Sequence, residues 1–158
     1  MSTRFPTTPG TAFLDKLGVV YEKHTYDYAR KGSDVAAEGL GVGLHEVVKT
    51  LLMQRDDGAP IVVLMHGDKE VSLKDLARQV GAKSVQPCEI KDAQKYTGYL
   101  VGGISPFGTK RQMPVYAEET ILQLPKFYIN GGQRGFILEI TPAEMQKALK
   151  ITPVRVVR

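Results

Sequence analysis

No stretch constrains this chain as tightly as Gly98-Tyr-Leu-Val-Gly-Gly-Ile-Ser-Pro-Phe-Gly-Thr-Lys110, which holds four glycines and a proline. Glycine in an ordered segment costs backbone entropy, so such density points to unusual dihedrals or to close approach of another group to the main chain. A second cluster, Asn130-Gly-Gly-Gln-Arg-Gly135, repeats the theme. Two such loops predict a pocket walled by main chain, with bare N–H groups available to bind oxygen atoms.

The remaining sequence predicts a mixture of short helices and strands. Phe13, Leu14 and Leu17 share one face of a helix over 11–17, followed by a strand over 19–26. The β-rich runs 47–53 and 61–65 flank an Asp57-Gly58 turn signal, which predicts an antiparallel hairpin. Ser72 caps a helix that Gly81 ends, and a helix over 89–96 stops at Gly98. A strand near Val115, a helical turn over 119–122 and strands over 127–130 and 136–140 follow. Pro142 opens the last helix, and residues 151–157 close the chain as an extended segment. Strands and helices alternate without a strict βαβ rhythm, which indicates an α+β fold with a mixed sheet, and 158 residues suit one domain spanning 1–158.

Composition narrows the setting. The net charge of +4 suits a polyanionic partner without requiring one. Cys88 is the single cysteine, so no internal disulfide forms and a reducing, cytoplasmic compartment is expected. The N-terminus lacks the apolar run of a signal peptide, and no stretch is long enough to span a membrane.

Several catalytic motifs fail on spacing. Gly39-Leu-Gly-Val-Gly43 follows a helix where a dinucleotide fingerprint needs a strand, and Thr109 separates Gly108 from Lys110 where a phosphate loop needs them adjacent. His24, His45 and His66 are too widely spaced for a zinc motif and share no sequence context, so no metal site is expected. Ser105 lacks a nucleophile elbow, and Cys88 lacks an evident base. Lys49 stands out. Alternation puts it on one face with Val47 and Leu51, either to meet a ligand there or to reach water from the start of the strand.

Taken together, the 98–110 loop, Val48-Lys-Thr-Leu51 and Asn130-Gly-Gly-Gln-Arg-Gly135 resemble the YbaK-type aminoacyl-tRNA deacylases, and His24-Thr-Tyr26 fits the same order. The resemblance runs from about Thr11 to the C-terminus. It implies a curved, barrel-like mixed sheet with flanking helices, related to the editing domain of prolyl-tRNA synthetases. It also implies trans-editing of mischarged tRNA, with cysteinyl-tRNA(Pro) as the leading substrate, no cofactor and no metal.

In the route the resemblance implies, the substrate's own thiol attacks its carbonyl and Cys88 is a bystander. Lys49 would hold the terminal phosphate or ester region. Main-chain N–H groups around Gly102 and Gly103 would hold the carbonyl oxygen. Tyr26, Thr50 and Ile104 would line the pocket, and Ser105, Pro106, Asn130, Gly131 and Gly132 would complete its rim. The implied partners are the 3′ end of an aminoacyl-tRNA and prolyl-tRNA synthetase, with the chain a monomer or weak homo-oligomer. Where some relatives carry Asp, this chain has Phe136-Ile-Leu138, so no acidic catalytic role is assigned. Two alternatives stand beside this reading: a deacylase for another small amino acid such as alanine, and a non-catalytic tRNA- or synthetase-binding module.

Overall fold

The apolar runs on either side of Asp57-Gly58 form the central hairpin. β2 (Val47–Arg55) and β3 (Pro60–His66) pair antiparallel, in register from Val48 opposite His66 to Gln54 opposite Pro60. The computed structural model describes residues 5–27 and 33–158. Around this hairpin it arranges β1 (Glu22–Thr25), β4 (Val85–Pro87), β5 (Val115–Glu118), β6 (Phe127–Gln133), β7 (Phe136–Ile140) and β8 (Ile151–Val154). The order is β1-β7-β6-β2-β3-β5-β8, with β4 on β2. Pairs β2–β6, β3–β5 and β5–β8 are parallel and the others antiparallel, so the sheet is mixed, as expected. It does not close into a barrel: β1 and β8 remain its two ends.

Every residue of β3 is buried, because both of its faces are covered. Val62 and Leu64 enter a main core with Leu14, Phe107, Phe127 and Phe136, while Ile61, Val63 and Met65 enter a second core with Leu76 and Val156. Each fully buried aliphatic side chain contributes about 1.5–3 kcal/mol. Val48 and Leu52 of β2 face the main core, Met53 the second core, and Val47 a third cluster with Ala36, Tyr128 and Ile137. Lys49 therefore lies between Val47 and Met53, where the apolar cover of that face changes from one cluster to another.

The helices are α1 (Pro9–Lys16), α2 (Ser33–Leu40), α3 (Leu73–Val80), α4 (Ile90–Thr97) and α5 (Pro142–Ala148). α1 starts two residues before the apolar periodicity does. Thr8 accepts the Thr11 N–H, the Thr11 hydroxyl accepts the Thr8 N–H, and Pro9 fills the first turn. α3 and α4 end on Gly81 and Gly98 in left-handed conformation, as expected. The strand expected over 19–26 shrinks to β1 because the Val19 N–H is drawn back to the Leu14 carbonyl. β4 carried too few residues to be foreseen. Gly131 and Gly132 lie inside β6 rather than in a loop, at a register slip between Asn130 and Gln133.

One irregularity of the sheet positions the site. β6 meets β2 only at Val47 and Val48, and β4 meets the same edge only from Met53 to Arg55. Among the described residues the edge between them has no partner strand, and a cleft opens over it.

Candidate active site

The cleft encloses about 510 Å³. Lys49, Thr50 and Leu52 line it along the β2 edge, together with Gly102, Ile104, Asn130 and Tyr26. Cys88, Ile90 and Ala93 close the end nearest β4 and α4. A larger groove of about 1040 Å³ is lined by the next part of the same loop, with Pro106, Gly108, Lys16 and Lys150, but holds none of Lys49, Thr50 and Asn130. Size alone favours the groove. The smaller cleft is where chemically distinctive groups from three distant segments meet.

Lys49 donates one hydrogen bond from Nζ to the Lys69 carbonyl, 2.6 Å away, and among the described residues no carboxylate pairs with it. An ammonium has three donors, so two remain for a ligand. The loop that supplies this carbonyl is held firmly. His66, wholly buried, donates from Nδ1 to the His45 carbonyl and accepts the Thr120 hydroxyl at Nε2, both at 2.7 Å. Burial pushes its imidazole below the ordinary value and keeps it neutral. His45 stacks on the His66 ring at 3.7 Å and hydrogen-bonds Asp68 at 2.9 Å. His45, His66 and Asp68 are close enough to share a cation. However, both His66 nitrogens are engaged, and parallel rings do not aim their in-plane lone pairs at one point.

The glycine clusters behave differently from the sequence expectation. The Gly103 N–H does not face the cleft, because it closes a turn onto the Leu100 carbonyl at 2.9 Å. Gly103 is buried, and a Cβ there would sit 2.8 Å from the Arg134 nitrogen. Gly102, at φ 91°, makes that turn possible. The N–H groups of Gly102 and Ile104 have no hydrogen-bond partner among the described residues, and both residues line the cleft. Ser105 is wholly buried and accepts the Phe107 N–H, so it shapes the loop from within instead of forming a rim. Pro106 lines the larger groove. Gly131 and Gly132 are packing positions: a Cβ would come within 2.6 Å of the Phe136 ring at the first and 2.7 Å of the Tyr99 ring at the second.

Asn130 links the two clusters. Its Nδ2 donates to the Gly102 carbonyl at 3.1 Å and its Oδ1 accepts the Gly132 N–H at 2.7 Å. Arg134 adds a bond from Nε to the Val101 carbonyl at 2.9 Å, a clamp that the sequence reading did not assign. The β6–β7 hairpin therefore fixes the height of Gly102 above β2.

Thr50 is unusual in two ways. Its Oγ1 is buried without a hydrogen-bond partner, the one such side-chain atom among the described residues. It also sits in the unpaired part of the β2 edge. Among the described residues, no carboxylate or histidine lines the cleft. Burial, then Asp92, pushes the Cys88 thiol up, away from the thiolate a nucleophile needs.

The aminoacyl-tRNA editing domain matches residues 29–148. The chain belongs to the aminoacyl-tRNA editing domain family. It is 32% identical to "Putative Cys-tRNA(Pro)/Cys-tRNA(Cys) deacylase EbsC" of Enterococcus faecalis over 137 residues, 85% of this chain and 84% of that one. It is also 32% identical to a proline–tRNA ligase of Ligilactobacillus salivarius over 100 residues, 63% of this chain but only 17% of the ligase. Two solved structures share the fold. One, of a hypothetical protein, has a TM-score of 0.88 at 24% identity, covering 96% of this chain and 100% of that one. The other, a "putative trans-editing enzyme for prolyl tRNA synthetase", has a TM-score of 0.81 at 20% identity, covering 95% and 99%. No helix among the described residues is long and apolar enough to cross a membrane.

Proposed function

We propose that this chain deacylates mischarged tRNA in trans, with cysteinyl-tRNA(Pro) as its substrate and the β2 cleft as its active site. The observation that carries this is the meeting of Lys49, Thr50, Gly102 and Asn130 in one cleft that, among the described residues, no carboxylate or histidine lines. Such a site has little to offer as general acid or base. It is suited to holding an ester that carries its own nucleophile.

An aminoacyl ester is already activated, so positioning supplies much of the acceleration, up to about 7–11 kcal/mol for a well-aligned intramolecular attack. The substrate's sulfur attacks its own carbonyl carbon and a C–S bond forms. The C–O bond to the tRNA breaks, and the thiol proton ends on the departing ribose oxygen. Free tRNA and a cyclic thioester result, with atoms balanced and no cofactor. The Gly102 N–H stabilises the carbonyl oxygen as charge develops on it. The two remaining Lys49 donors hold the terminal phosphate or ester region. The name of the Enterococcus relative and the match inside proline–tRNA ligases support tRNA(Pro) as carrier and prolyl-tRNA synthetase as partner. Such a reaction belongs in the cytoplasm.

The Lys49→Ala variant tests this reading. Losing a charge-assisted contact of about 1.5–3 kcal/mol lowers kcat/KM by about 10- to 150-fold while the protein stays folded. Cys88→Ala should deacylate near the wild-type rate. A folded Lys49→Ala protein as active as wild type would remove Lys49 from the site.

A further inference from the structure

The open edge of β2 carries an inference that rests on the editing reading and deepens it. The Gly67 N–H meets the Val47 carbonyl, and the Arg55 N–H meets the Ala59 carbonyl, both on the β3 side. Main-chain direction alternates along a strand, so residues 47, 49, 51, 53 and 55 aim their N–H and C=O groups at β3. Residues 48, 50, 52 and 54 therefore aim theirs at the opposite edge. The Leu52 carbonyl obeys this parity, accepting the Cys88 N–H at 2.9 Å. Val48 pairs with β6 and Gln54 with β4. Thr50 falls in the gap, and among the described residues neither its N–H nor its C=O has a strand to meet. Unpaired main-chain groups inside a sheet are costly, and the Thr50 side chain adds the orphaned Oγ1.

We infer that the aminoacyl moiety of the substrate docks on Thr50 as a one-residue β-strand. In a hydrogen-bonded antiparallel pair, two facing residues exchange both bonds, each N–H meeting the other's C=O. An aminoacyl ester presents that pair of groups: an α-ammonium that donates to the Thr50 carbonyl, and an ester carbonyl that accepts the Thr50 N–H. Strand addition of this kind reads main chain and leaves side-chain choice to the flanking pockets. Facing residues of such a pair project their side chains to the same face of the sheet. The Thr50 side chain shares its face with Val48 and Leu52, so the substrate side chain lies beside Oγ1 and towards Cys88, Ala93 and Ile104. Selection on this geometry requires a free α-ammonium. The cleft therefore excludes N-acylated esters and esters lacking the amine, whatever their side chain.

Amide hydrogen exchange followed by NMR on the full chain tests this. In the free protein the Thr50 amide should exchange at least about tenfold faster than those of Lys49 and Leu51, which pair with β3. Adding 3′-(L-cysteinylamino)-3′-deoxyadenosine, an amide analogue of the charged tRNA end, should slow it at least tenfold. The analogue without the α-amine, carrying a 3-mercaptopropanoyl group, should bind at least tenfold more weakly. If the cysteinyl analogue shifts the Gly102 and Lys49 resonances but leaves Thr50 exchange unchanged, the docking is overturned while the cleft stands. Equal affinity for both analogues also overturns it. Binding of neither overturns the docking and the cleft assignment together, and deacylation assays then decide the activity separately.

Discussion

Replacing Gly131 with Ala separates packing from backbone freedom. A Cβ at this position would lie 2.6 Å from Cδ2 and Cε2 of Phe136 and 3.1 Å from the Leu138 side chain. Carbon atoms prefer about 3.5–4.0 Å, so the ring must retreat by roughly 1 Å. Phe136 is 1% exposed and Leu138 is fully buried, so neither has open space to enter. Overpacking of this kind costs about 1–3 kcal/mol, and the rigid surroundings favour the upper end. At about 2–4 °C per kcal/mol for a domain of this size, the melting temperature should fall by roughly 5–10 °C. Gly58→Ala is the control: φ is +88° but a Cβ there meets nothing within 4 Å, so only the left-handed strain of about 1–2 kcal/mol applies. Combining Gly131→Ala with Phe136→Leu should recover at least about 1 kcal/mol relative to the sum of the single changes. Urea unfolding of the wild type, the three single variants and the double variant measures all of this. A Gly131→Ala cost below that of Gly58→Ala, or strict additivity in the double variant, refutes the packing argument.

Asn130→Asp keeps the acceptor for the Gly132 N–H but replaces the donor to the Gly102 carbonyl with a second oxygen. Its deacylation kcat/KM should fall by at least about tenfold through misplacement of Gly102, with a melting temperature close to wild type, whereas Asn130→Ala loses both bonds and about 1–3 kcal/mol of stability as well. The buried His66 predicts a pH dependence. Its folded pKa is depressed, so the stability it secures is full above the unfolded value of 6.5 and is lost as pH falls below it. Thermal unfolding between pH 7 and pH 5 should show a steeper loss for wild type than for His66→Gln; equal slopes would contradict a neutral buried imidazole.

Much of the scaffold was legible because local signals agreed with the tertiary answer. The Asp57-Gly58 hairpin, the Ser72 cap, the Gly81 and Gly98 stops and Pro142 at a helix start are all local chemistry. The sheet's failure to close was not legible, since pairing partners come from distant segments. The glycine clusters were located but partly misread. Composition cannot distinguish a glycine that bares its N–H from one that admits a phenylalanine ring, and only Gly102 of the anticipated glycines faces the cleft. Ser105 was placed on the rim by its neighbours in sequence, yet the turn that frees Gly102 draws it inward. Thr50 was expected in the pocket through family resemblance. Its unpaired main chain had no sequence signal, because the gap belongs to β4 and β6, which stop short of each other.

Deacylation of purified cysteinyl-, alanyl- and prolyl-tRNA(Pro) by the isolated chain, with and without prolyl-tRNA synthetase, tests the central claim most directly. The thiol-dependent cleft predicts rapid release from cysteinyl-tRNA(Pro) and little from the other two. Rapid hydrolysis of alanyl-tRNA(Pro) would contradict the substrate-assisted route, and no hydrolysis of any substrate by the folded protein would contradict the enzyme itself.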